Sequence, residues 1–159
     1  MRLIRLMALT ALLVVTTTPA FADVTLFIGG NTTPSSRQAR GFALGAGLLI
    51  VGFEFEYAKT SEDPAEAAPR LNTFMGNVLL QTPVAIMGLQ PYFTTGGGGY
   101  QETLGPRQET MFGLNTGGGV KISLIGPLRA RVDYRAFSLK GDPLHDVVNR
   151  FYVGANLKF

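Results

Sequence analysis

Along LRARVDYRA, residues 128–136, the side chains alternate strictly between two characters. Arg129, Arg131, Asp133 and Arg135 are charged, while Leu128, Ala130, Val132, Tyr134 and Ala136 between them are apolar or amphipathic. Successive side chains of a β-strand point to opposite faces, so this stretch has one ionic wall and one apolar wall. A surface strand of a sandwich can show the same alternation. Most of the chain, however, repeats it in segments of roughly ten residues, the length of a strand that crosses a bilayer.

Read in order, the segments are 23–30 (Val24, Leu26 and Ile28 on one face), 40–48 (Phe42, Leu44, Ala46, Leu48) and 51–60 (Val51, Phe53, Phe55, Tyr57). Then come 70–81, where Met75 and Leu79 blur the pattern, 88–100, 110–124, the opening stretch, and 147–159 with Phe151, Val153, Ala155, Leu157 and Phe159 on one face. Pro91 lacks the amide hydrogen of a regular ladder, so the fifth segment is expected to carry an irregularity. Eight strands is an even number, and the connections 31–39, 61–69, 101–109 and 140–146 are polar and long, while those between them are short. An up-and-down barrel puts alternate connections on opposite rims, and membrane barrels have long loops on one side and short turns on the other. The expected fold is therefore all-β: an eight-stranded antiparallel up-and-down transmembrane β-barrel with both chain ends at the short-turn rim.

The first 22 residues read as a cleavable signal peptide, with basic Arg2 and Arg5, an apolar run from Leu6 to Val15 and the A-x-A site Ala20-Phe21-Ala22. That run is too short for a spanning helix, which needs roughly 20 residues. The expected domains are thus 1–22, signal, and 23–159, barrel. Loss of Arg2 and Arg5 takes the 14 basic residues to 12 against 11 acidic ones, so the net charge falls from +3 to +1 and no argument for nucleic acid remains. The absence of cysteine removes disulfides and thiolate metal or redox sites. With 46% hydrophobic residues, 16% charged residues and 20 glycines, the composition suits a barrel in lipid better than a soluble sandwich.

The tail FYVGANLKF ends in an aromatic residue, and the pieces LQPYFTTGGGGY, FGLNTGGGVKI and VDYRAF resemble strands five, six and seven of the outer-membrane β-barrel domain family. This is the group of small OmpA- and OmpX-like porin-family proteins, and the resemblance runs through the whole chain from residue 23. It implies a monomeric integral protein in the outer membrane of a diderm bacterium, surrounded by lipid and lipopolysaccharide and assembled by periplasmic chaperones and the barrel-insertion machinery. It also implies that Tyr152 and Phe159 belong to a C-terminal insertion signal. Tryptophan is absent, so the interfacial aromatic belt is expected from Tyr57, Phe93, Phe112, Tyr134, Phe137, Phe151 and Phe159.

The best-defined constellation is a set of lumen charges. Strands three and seven lie on opposite walls of an eight-stranded barrel whose interior is only wide enough for side chains to fill. Glu54 and Glu56 are therefore expected to face Arg129, Arg131 and Arg135 across the axis, with Asp133 beside them, as an ion-pair network closing the lumen. The alternative is the charged constriction of a conducting pore.

An enzyme of the lipid A-modifying kind would need a histidine with a serine and a carboxylate. The one histidine, His145, has Asp146 beside it, but the nearest serine upstream is Ser138. A solvated loop histidine and no catalytic, cofactor or metal site are expected. The runs Gly96–Gly99 and Gly117–Gly119 lack the Lys-Ser/Thr ending of a phosphate loop and fit close backbone or side-chain approach instead. A soluble, lipocalin-like carrier would reverse the faces, with phenylalanines inside and Glu54 and Arg131 outside; periodicity alone does not choose between the two.

Overall fold

The computed structural model describes residues 20–159. Arg2, Arg5 and the apolar run of the expected signal peptide lie outside the described residues. Ala20, Phe21 and Ala22 are inside and open the first strand. Eight strands close in sequence order into one barrel: β1 (Ala20–Asn31), β2 (Arg37–Leu48), β3 (Val51–Thr60), β4 (Arg70–Gln81), β5 (Leu89–Leu104), β6 (Arg107–Ile125), β7 (Leu128–Leu139) and β8 (Val147–Lys158). Every neighbouring pair is antiparallel, and the seam is β1 on β8, in register from Asp23↔Lys158 to Asn31↔Arg150. Closure pairs every strand on both sides, which leaves no open edge.

Which wall faces inward is decided by burial. Phe53 is 64% exposed and Val153 45%, whereas Glu54 is 3% and Arg131 0% exposed. The apolar side chains therefore form the outer surface and the ionised ones the interior, the reverse of a lipocalin-like carrier. A continuous apolar surface of this extent is not what water-soluble monomers present.

The blurred pattern of β4 has a physical cause. Leu71 and Met75 point inward and pack with Tyr100, Phe137, Leu139 and Val148. The lumen toward the 32–36 and 140–146 connections is thus filled with apolar side chains, and β4 is apolar on both faces there. The same cluster corrects the belt. Phe137 lies on the charged face of β7 and is fully buried in the lumen, 4.4 Å beneath the Arg150 guanidinium. The outer belt keeps Tyr57 as expected and adds Phe42 and Phe74, its neighbours across β2 and β4, with ring centroids 5.8 and 4.6 Å from that of Tyr57.

Two connections differ from expectation. The polar stretch 101–109 is not a loop: Gln101↔Thr110 through Leu104↔Arg107 are paired, and only Gly105 and Pro106 form the turn. Polarity marks a loop only where one face must be buried. Beyond the apolar band a hairpin is wet on its outer face, so polar residues continue the strands. Gly105, at φ 56°, supplies the left-handed corner. The fourth connection, in turn, is not short but runs over 82–88, closed by reciprocal backbone bonds between Ile86 and Leu89. The loop-length alternation is accordingly weaker than the sequence suggests. Pro91 needs no bulge, because its carbonyl accepts from Thr82, just past the end of β4. Its missing donor falls where the neighbouring strand has already stopped.

Candidate functional site

Odd residues of β1 and β7 and even residues of β3, β5 and β8 converge on the axis, because one parity of each strand must fill the interior of so small a barrel. They build two ionic centres. The central one holds three carboxylates, Glu54, Glu56 and Asp133, against three guanidiniums, Arg131, Arg135 and Arg150. Arg135 is its hub, with Nη2 2.8 Å from Glu54 Oε1, Nη1 3.1 Å from Glu56 Oε2 and Nε 2.9 Å from Asp133 Oδ1. Arg131 reaches both Glu54 oxygens and lies 3.0 Å from Asp133 Oδ2. Arg150 donates to Glu56 at 3.1 Å and to Asn31 at 3.0 Å. The Tyr92 hydroxyl donates to Asp133 and accepts from Arg131 Nε at 2.7 Å. Three negative and three positive groups balance.

The second centre lies nearer the short-turn rim. Asp23 Oδ2 is 2.7 Å from Lys121 Nζ and 3.0 Å from Arg129 Nη2, and Arg129 is further held by Asn156 and Gln90. Arg129 is thus not opposite the glutamates. It sits one inward step closer to the rim than Arg131 and takes the first carboxylate of β1 instead. Asp23, Lys121 and Arg150 were not singled out from the sequence. Lys121 and Arg150 share a parity with inward residues of their strands, which is a readable signal. Asp23 is masked by its position at the expected cleavage junction.

Small residues make room for these long side chains. A Cβ on Gly117 would stand 2.8 Å from Arg135 Cα and 3.0 Å from its Cγ, and one on Gly119 would stand 2.4 Å from the Tyr92 hydroxyl. The glycine run of β6 therefore lines the wall over which the central network lies, while Gly96 and Gly98 of β5 let the β4 backbone approach closely.

Tyr152 points into the lumen, fully buried, and stacks on Phe27 with ring centroids 4.1 Å apart. Phe159 is 70% exposed, and its backbone pairs with Ala22 at the seam. His145 is half-buried in the 140–146 connection and, among the described residues, makes no hydrogen bond to Ser138 or Asp146. Among the described residues no group of three His, Asp or Glu is placed to hold a metal ion. The chemistry of the ionic centres is constrained by dryness. Glu56, Arg131, Arg135 and Arg150 have no exposed surface, so their polar atoms are turned to one another and not to solvent.

No family model matches the chain, and no curated protein matches it. Solved structures do. The N-terminal β-barrel domain of Pseudomonas aeruginosa OprF superposes with a TM-score of 0.66 at 16% identity, covering 87% of this chain and 97% of that one. Neisserial surface protein A gives 0.69 at 12% identity, over 88% of this chain and 97% of that one. The outer-membrane enzyme PagL gives 0.55 at 14% identity, over 85% and 98%. At such identities the likeness is one of architecture, and it spans the barrel from end to end: the chain has the eight-stranded up-and-down fold of the small outer-membrane barrels.

Proposed function

We propose that the protein is an integral barrel of a bacterial outer membrane, monomeric and non-enzymatic, exported by its signal peptide, with both termini in the periplasm. Its role on this reading is structural or one of surface recognition through the connections at the long-loop rim. Outer-membrane lipid and lipopolysaccharide surround it, and periplasmic chaperones and the insertion machinery, reading the strand that carries Tyr152 and Phe159, assemble it. The observation that carries this is the inverted burial, with phenylalanines and aliphatic residues outside and ion-paired side chains inside. Hydrocarbon satisfies the first and would not tolerate the second on its surface.

A sealed lumen rather than a pore follows from the fill of the axis. Ionic centres occupy its lower part and the Leu71, Met75, Tyr100, Phe137, Leu139, Val148 cluster its upper part. What supports a non-enzymatic role is that Asp23, Glu54, Glu56 and Asp133 are each ion-paired with buried cationic side chains and that His145, among the described residues, makes no hydrogen bond to Ser138 or Asp146.

One experiment joins both parts. The expressed protein is expected in the outer-membrane fraction, migrating faster in gels when unheated, and giving no large steady conductance in planar bilayers. A soluble periplasmic fraction overturns the membrane reading, and sustained channel currents overturn the sealed lumen.

A further inference from the structure

The outward face of the strands carries three charged side chains among the described residues, Arg40 on β2, Lys59 on β3 and Arg70 on β4. All are cationic, all are exposed, and all sit at the long-loop end of consecutive strands. Arg40 and Lys59 are direct cross-strand partners, and Lys59 faces Asn72, two residues from Arg70. Like charges placed opposite one another on a sheet repel, so this pairing costs stability unless an anion shields it. Glu62 lies 3.8 Å from Arg70. Arg40 and Lys59 take part in no ion pair among the described residues, although Lys59 Nζ stands 5.8 Å from the Tyr57 ring.

Two concave surfaces meet at this pair. Above is a polar recess of about 500 Å³ that also includes Gln38, Arg70, Asn72 and the Glu62 carboxylate on the Arg70 side. Below is an apolar groove of about 720 Å³ on the outer wall of β8, β1 and β2, floored by Gly41, Gly154 and Ala155 and walled by Leu26, Ile28 and Val153. One step beneath the cations runs the Phe42, Tyr57, Phe74 row, which marks the level where headgroups give way to hydrocarbon. A small anion would use the cations and leave the groove empty, and a neutral chain would do the reverse. A ligand that fills both joins a phosphate to an acyl chain.

We infer that Arg40, Lys59 and Arg70, with the groove beneath, form a binding site for a phosphorylated acyl lipid of the outer leaflet. The phosphate bridges Arg40 and Lys59, and one acyl chain lies along the Gly41, Gly154, Ala155 floor. This rests on the outer-membrane reading above and adds to it a residue-level site and a ligand chemistry.

The test is native mass spectrometry of the folded, detergent-solubilised protein offered bis-phosphorylated lipid A, the same lipid dephosphorylated, or inorganic phosphate. Folding is checked in every sample by heat-modified gel migration. The wild-type protein should retain one phosphorylated lipid. R40Q/K59Q should weaken retention roughly tenfold or more, the loss of two cations at a lipid surface. A155F, which fills the groove and leaves the charges in place, should weaken it as well, while R107Q, outside the patch, should not. Equal retention of the dephosphorylated lipid, or retention unchanged in R40Q/K59Q, overturns the site. Displacement of the lipid by inorganic phosphate overturns the acyl component. Failure of the wild-type protein to show a folded membrane barrel overturns the outer-membrane reading and this inference together, which separates that failure from the others.

Discussion

Arg135→Met is expected to lower the unfolding free energy of the barrel by about 3–5 kcal/mol, read from urea titration of protein folded in detergent or lipid vesicles. Methionine keeps much of the side-chain volume, so the loss is electrostatic. The substitution leaves Glu54, Glu56 and Asp133 facing only Arg131 and Arg150, one buried negative charge in excess. Water cannot repair this, since the network has no exposed surface. A compensating Glu56→Gln removes the excess charge, and the double variant should recover a large part of the loss, a coupling that only interacting groups show. The exposed pair Arg107–Asp142, 3.4 Å apart with Asp142 95% exposed, serves as the contrast. Breaking it should change stability by no more than about 1 kcal/mol. A loss at Arg135 as small as that would mean the lumen is wet.

Val153→Arg tests the opposite wall. Val153 lies mid-strand on β8, opposite Ile28 of β1 and Val132 of β7, and is 45% exposed. On a water-soluble protein an exposed site of this kind tolerates arginine with little change, typically within about 0.5 kcal/mol. If hydrocarbon covers it, the cost is roughly 2–4 kcal/mol, falling toward zero for the same substitution near the rim. Moving the arginine along β8 from Val153 to Leu157 should therefore reveal a depth profile. A flat profile would argue for an aqueous exterior.

The number of strands, their order and the parity of each wall were legible because a half-buried strand writes its two environments into alternate residues. LRARVDYRA is the clearest instance, and β3, with Glu54 and Glu56 between Phe53, Phe55 and Tyr57, is nearly as clear. Legibility fails where the two environments become alike. The inward face of β4 is apolar at Leu71, Met75 and Leu79, so both its faces look the same. The β5–β6 hairpin beyond the apolar band is polar on both faces, so its strands resemble a loop. Phe137 misleads for a related reason, since an aromatic residue signals the belt only if the upper lumen is assumed polar.

In the candidate site, parity identified which residues enter the lumen but not which of them meet. Partner choice depends on how far each strand is displaced along its neighbour, and that stagger is set by the closed ring as a whole. It moved Arg129 to Asp23 and brought Arg150 of β8 onto Glu56 of β3, a contact linking residues far apart in sequence. Arg40 and Lys59, by contrast, are brought together locally, because the two-residue turn Leu49–Ile50 fixes the β2–β3 register.

The chain contains no cysteine, so single cysteines can be introduced along β8 and spin-labelled without background. Collision rates with oxygen, which partitions into hydrocarbon, measured for residues 150–157 in lipid vesicles test the central claim directly. The account predicts a period of two with maxima at Phe151, Val153, Ala155 and Leu157 and minima at Arg150, Tyr152 and Asn156. A profile with the phase reversed, or one in which every site is reached equally by a water-soluble relaxant, would contradict it.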